Sequence, residues 1–321
     1  MLPTITDALR ARRLLRPLLV PTPLSTYPAL DSATGAKVYV KHENVQPTGA
    51  FKVRGGLNLL ATLDPAERAR GVLGYSTGNH AQSLAYAAAH HGVPCTIVMP
   101  ERPNPAKAQA VRDLGAELIE YGERFDEARA HAERVAAERG MRLVSAANEP
   151  AIIAGVATAY LELFEAEPGL DVVLVPVGSG TGAAAAALVA AALAPDCEVI
   201  AVQSAAAPAA HDSWRTGELV ERPNRTVAEG LATGSGFALT QRLLRDRLAD
   251  FLLVEDEQIG EAQHLFLRAA HTVAEGAGAA APAALLAHRD RFAGRSVAVV
   301  CSGGNAGEAE LNRMGRAAPI G

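Results

Sequence analysis

The chain has 321 residues, enough for one large or two modest domains and a sizeable core. Apolar residues make up 49% and charged residues 20%, ordinary for a folded soluble protein, and an aromatic share of 4% leaves the core to Ala, Leu and Val. A net charge of −5 with no basic block argues against nucleic acid or an anionic membrane as the main partner.

The opening stretch, "MLPTITDALRARRLLRPLLVPTPL", holds no apolar run of signal-peptide quality. A first strand is predicted at 37–41, "KVYVK". After polar "KHENVQP" comes "TGAFKVRGG", Thr48 to Gly56, which opens a helix near 54–63. A lysine taken alone reads as a solvated surface charge, and glycines beside it as a turn or helix start. Lys52 becomes a reactive candidate only if the rest of the chain supplies something for an amine to react with.

A strand at 71–76 leads into "STGNHAQ", Ser76 to Gln82, and a helix over 79–91. Ser76 or Thr77 can cap that helix, and its exposed N–H groups suit an anion. Capping alone does not explain Asn79 and His80 behind Gly78. Further strands at 95–99 and 116–121 alternate with helices near 104–114, 125–139 and 151–166. The strand "DVVLVPV" at 171–177 runs into "VGSGTGA", Val177 to Ala183, and a helix over 181–193. Three glycines and two hydroxyls before a helix form a phosphate cradle. No Gly-Lys-Ser/Thr follows, so it is not a P-loop. Ala183 stands where a dinucleotide fingerprint has its last glycine, and the next strand ends in Gln203 rather than an acid for a ribose. A single phosphate fits better.

Strands at 197–203, 251–255 and 296–301 and helices near 256–274 and 279–292 complete the pattern, with "CSGGNAG" after the last strand. At Ser302 the backbone can approach a flat ligand, or simply turn from strand to helix. The apolar segment 183–194 is too short and Ala-rich for a bilayer and reads as a buried helix. The three cysteines, Cys95, Cys197 and Cys301, form no CxxC, which fits a reducing cytosol. Strand–helix alternation with continuous apolar strands predicts an α/β protein with more than one largely parallel, doubly covered sheet. A lysine, a single-phosphate cradle and an anion-binding turn together suggest pyridoxal phosphate. A desolvated, glycine-rich site favours the neutral, reactive amine.

The motifs "ENVQPTGAFKVRGG", "STGNHAQ", "NEPAIIAG", "VPVGSGTG", "VAEG" and "CSGGN", in this order, resemble the threonine dehydratase and serine racemase branch of fold-type II pyridoxal phosphate enzymes. The resemblance implies a tryptophan synthase β-like fold with two open, twisted, mostly parallel sheets flanked by helices. It implies a discontinuous large cofactor-binding domain, 1–66 and 149–321, around a small substrate-carboxylate domain, 67–148. Lys52 corresponds to the Schiff-base lysine and Phe51 packs beside the cofactor. Asn79 would bond the ring hydroxyl, and Gly178, Ser179, Gly180, Thr181 and Gly182 would wrap the phosphate. Gly230 would lie near the ring, and Ser302 would meet the pyridine nitrogen. Ser76, Thr77, Gly78, Asn79 and His80 would receive the substrate carboxylate. A neutral hydroxyl at the pyridine nitrogen weakens the electron sink and favours β-elimination over transamination.

The implied activity is an ammonia-lyase (dehydratase) acting on a small β-hydroxy amino acid such as L-threonine or L-serine. A cytoplasmic homodimer is implied as well. Alternatives are an amino-acid racemase, a β-replacement synthase or a non-catalytic binding protein, with a nicotinamide-dependent enzyme disfavoured by the missing ribose acid. Four positions depart from the family pattern. Thr77 stands where a racemase has a serine as its second acid/base, and its branched Cβ restricts the hydroxyl. Val156 and Ala157 replace a Gln-Gly pair, and Ala147 and Asn148 shift an Asn or Asp that precedes "EP". Residues 203–210, "QSAAAPAA", offer no carboxylate for a divalent cation, so no metal is expected there. The short stretch after "CSGGN" predicts no isoleucine-responsive regulatory domain.

Overall fold

A computed structural model describes residues 1–315. Its strands are β1 Leu24–Thr26, β2 Lys37–His42, β3 Val72–Tyr75, β4 Cys95–Met99, β5 Glu117–Glu120, β6 Arg142–Val144, β7 Val172–Pro176, β8 Glu198–Ser204, β9 Asp250–Val254 and β10 Ser296–Cys301. They form two sheets flanked by helices, in the orders β5-β4-β3-β6 and β1-β2-β10-β7-β8-β9. Every pairing is parallel except β1 with β2. The expected fold-type II architecture is therefore present. β1 and β6 were not expected; each has three residues, too few to display an alternation.

Helices Asn79–His91, Phe125–Arg139 and Thr181–Leu193 match the sequence reading. The first two end on left-handed Gly92 and Gly140, the usual glycine stop. The helix expected to reach 274 stops at Ala269, because His271 takes φ 52°, a turn no periodicity announces. The stretch expected as one helix over 279–292 is two, Gly276–Ala287 and Arg289–Phe292, with His288 between them. Among the described residues no helix is long and apolar enough to cross a membrane.

The chain packs as two compact units. Unit 1 comprises residues 3–20 and 51–158 and holds the four-stranded sheet. Leu73 and Val98 of that sheet meet Ala128, Ala132, Val135 and Ala136, one stripe of helix Phe125–Arg139. Helix Lys52–Ala61 packs against helix Asn79–His91 at very short range: a Cβ on Gly56 would stand 2.6 Å from the Ser83 carbonyl oxygen. Unit 2 comprises, of the described residues, 21–50 and 159–315. Its core joins Val40, Leu174, Ile200 and Val299 of the larger sheet to Phe266, Phe292 and the alanines of helix Gly276–Ala287.

Candidate functional site

In each sheet the order of strands reverses once. In unit 1 the chain runs β3, β4, β5 and returns to add β6 on the far side of β3. In unit 2 it lays down β7, β8, β9 and returns to place β10 on the other flank of β7. Ligands gather outside the carboxyl ends of strands at such reversals. The turn from Ser76 follows β3 and the turn from Val177 follows β7, so each occupies the reversal point of its own sheet. Ser302, buried, follows β10, which pairs directly with β7.

In unit 1, Lys52 is the first residue of its helix and is half-buried. Its Nζ lies 5.1 Å from the centroid of the Phe51 ring. Ser83 Oγ donates to the Lys52 carbonyl at 2.6 Å, which fixes the backbone from which the amine projects. Gly78 precedes helix Asn79–His91, and no side chain caps that helix start. Neither Ser76 nor Thr77 supplies the expected cap; the Ser76 hydroxyl accepts from the Gly78 N–H at 3.3 Å. A Cβ on Gly78 would meet nothing within 4 Å, so the helix start opens on free space, the setting in which a helix N-terminus suits an anion. Thr77 is exposed, while Ser76 and Asn79 are half-buried.

The His80 side chain is buried inside unit 1, only its backbone belonging to the turn. Burial, and then the charge of Lys52, push its pKa down to about 3, so the ring is neutral. The ring donates to the Val144 carbonyl, and Nε2 is buried without a hydrogen-bond partner. Val156, Ala157 and Ala147 are fully buried, and Asn148 is exposed.

In unit 2, Gly180 takes φ 90° immediately before helix Thr181–Leu193, whose start no side chain caps. A Cβ on Gly178 would fall 2.2 Å from the Gly230 carbonyl oxygen, so these two glycines are in backbone contact. Thr181 is buried at the first position of the helix. Two hydroxyls brace the turn from behind. Thr233 Oγ1 donates to the Gly178 carbonyl at 3.3 Å, and Thr240 Oγ1 to that of Ser179 at 3.0 Å. Gln203, fully buried at the end of β8, accepts from the His211 N–H at 3.0 Å and donates to Thr233 Oγ1 at 3.4 Å. Sequence reasoning did not find Thr233 or Thr240, and no spacing ties them to the turn.

These residues fit pyridoxal phosphate. A glycine turn in which side chains would collide, an uncapped helix start and no acid from 177 to 182 suit a phosphate. Lys52 supplies an amine and Ser302 a neutral hydroxyl. The segment 203–210 adds Gln203 and Ser204 but no carboxylate; Ser204 Oγ donates to Asp256 at 2.6 Å.

A family model described as pyridoxal-phosphate dependent enzyme matches residues 15–303. The L-threonine ammonia-lyase of Thermotoga maritima is 40% identical over 305 residues, 94% of this chain and 75% of that protein. The L-threo-3-hydroxyaspartate ammonia-lyase of Saccharomyces cerevisiae is 33% identical over 306 residues, 95% of this chain and 94% of that protein. Among solved structures, maize serine racemase superposes with a TM-score of 0.93 at 29% identity, covering 98% of this chain and 97% of the other.

Proposed function

The chain belongs to the pyridoxal-phosphate dependent enzymes, and from that premise we propose that it is an ammonia-lyase for a small β-hydroxy amino acid. L-Threonine and L-serine are the substrates of choice, and the products are the 2-oxo acid and ammonia. The observation that carries the reading is Ser302, a buried neutral hydroxyl at the end of β10 beside β7. An acid at the pyridine nitrogen would hold a proton there; a serine does not enforce one.

Bound pyridoxal phosphate supplies an aldehyde carbon for amines and an electron-withdrawing ring that acidifies the substrate α-carbon. Lys52 would hold the cofactor through its side-chain amine, and its Nζ, when free, would take the substrate α-proton. Residues Gly178 to Gly182 would hold the phosphate through backbone N–H groups and the helix start. Asn79 would donate to the ring hydroxyl, Phe51 and Gly230 would border the ring, and Ser302 would meet its nitrogen. The turn formed by Ser76, Thr77, Gly78, Asn79 and His80 would hold the carboxylate and so orient the α-hydrogen. On this reading segment 67–148 receives the carboxylate, segments 1–66 and 149–321 hold the cofactor, and the working form is a cytoplasmic homodimer.

Racemisation is the second reading, favoured by the likeness to maize serine racemase. The test is a panel of L- and D-serine, L-threonine and 3-hydroxyaspartate, scored for 2-oxo acid, ammonia and the opposite enantiomer. Oxo acid from L-threonine or L-serine supports the lyase reading. A D-isomer without oxo acid overturns it.

A further inference from the structure

We propose that Gln203 and Thr233 form a directional hydrogen-bond relay that aims a backbone N–H of the glycine turn at the cofactor phosphate. The inference rests on the reading of residues 178–182 as the phosphate cradle. Its direction follows from the donors available. The His211 backbone N–H can only donate, so the Gln203 atom that faces it at 3.0 Å is the amide oxygen. The Gln203 amide nitrogen then faces Thr233 and donates to Oγ1. A hydroxyl has one proton, and with its oxygen already accepting, Thr233 sends that proton to the Gly178 carbonyl.

In a trans peptide the carbonyl and the following N–H point in opposite directions. Holding the Gly178 carbonyl from behind therefore turns the Ser179 N–H forward. Thr240 supports the next peptide less exclusively, because its one proton is shared between the Ser179 carbonyl at 3.0 Å and the Phe237 carbonyl at 3.2 Å. An anion is held by such N–H groups only if they are aimed before it arrives. Gln203 and Thr233 are thus positioning residues, acting on the phosphate through Gly178. Gln203 is fully buried, and its two amide atoms are occupied on opposite sides.

The test compares Thr233→Val, Thr233→Ser and Gln203→Glu with the wild type. Glutamate keeps the shape of Gln203 and still accepts from His211, but it cannot donate; the Thr233 proton would turn to it and release Gly178. Apoenzyme is titrated with pyridoxal phosphate, the bound phosphate is read by phosphorus NMR, and apoenzyme melting is recorded. Thr233→Val and Gln203→Glu should weaken cofactor affinity by about three- to tenfold, one hydrogen bond's worth, and shift the phosphate resonance. Thr233→Ser should stay within about twofold, since it keeps the donor. Wild-type affinity and resonance in Gln203→Glu or Thr233→Val overturn the relay. So does a Thr233→Ser variant as weak as Thr233→Val. If Thr233→Val does not fold, Gln203→Glu against Thr233→Ser decides. Wild-type apoenzyme that binds no pyridoxal phosphate would overturn the proposed function itself, a separate result.

Discussion

The imidazole of His80 donates to the carbonyl of Val144, tying the start of helix Asn79–His91 to the end of β6. The two elements flank the point where the smaller sheet reverses. A protonated ring would place a second charge near Lys52, inside the protein. Because burial lowers the folded pKa to about 3, the unfolded chain binds more protons between about pH 6.5 and pH 3. Stability should then be lost as pH falls through that window. Denaturant unfolding at pH 7 and pH 5 checks it: His80→Asn, which keeps a donor but cannot titrate, should lose less stability than the wild type. Equal losses would remove His80 from the pH dependence.

Borohydride reduction followed by peptide mapping should place the pyridoxyl group on Lys52. Lys52→Ala should abolish turnover, because the amine that carries the cofactor and the base for the α-proton are the same group. A label on another lysine sinks the assignment.

Two glycines in unit 1 should respond in opposite ways. Gly56→Ala would drive a methyl against the Ser83 backbone, which cannot yield without moving a helix, so a loss of about 1–3 kcal/mol in unfolding free energy is expected. Gly78→Ala adds a methyl in open space, so the melting temperature should hold while KM for the amino acid rises severalfold. Unchanged KM in Gly78→Ala would move the carboxylate away from this turn.

Ser302→Asp should favour a protonated pyridine and divert substrate from elimination towards transamination, with a changed cofactor absorption spectrum. Unaltered spectrum and partitioning would mean that Ser302 does not meet the ring nitrogen.

With L-serine in deuterated solvent, pyruvate should accumulate with little D-serine and little deuterium in recovered substrate. The branched Cβ of Thr77 limits its hydroxyl to fewer rotamers. Thr77→Ser should therefore raise residual racemisation more than it changes elimination. EDTA should leave the rate nearly unchanged; a steep loss restored by magnesium would contradict the reading of residues 203–210.

The glycine turns after β3 and β7 were legible because each combines an apolar strand, small residues and a helix within one short window. What braces them was not. Thr233, Thr240 and Gln203 come from segments remote in sequence from the 177–182 turn, and a single threonine carries no pattern. The Val144 carbonyl that holds His80 is backbone, invisible to any reading of residue types. Gly55 and Gly56 were noticed, but as surroundings of a reactive amine. Their contacts with Ile152 and Ser83 give them a packing role, and close helix contact leaves no mark on periodicity.

The place of β10 bears on how the polypeptide matures on the ribosome. Unit 1 has all four of its strands once synthesis passes Val144. Among the described residues of the larger sheet, β10 alone joins the β1–β2 pair to the β7–β8–β9 ladder. It is also the last of the described strands to be made. At about 5–20 residues per second, the β1–β2 pair waits roughly a few tens of seconds with one edge of β2 unsatisfied. Such an edge invites foreign strands. A nascent chain stalled before Ser296 would therefore expose two incomplete ladders, a natural target for chaperones and the form most prone to aggregate.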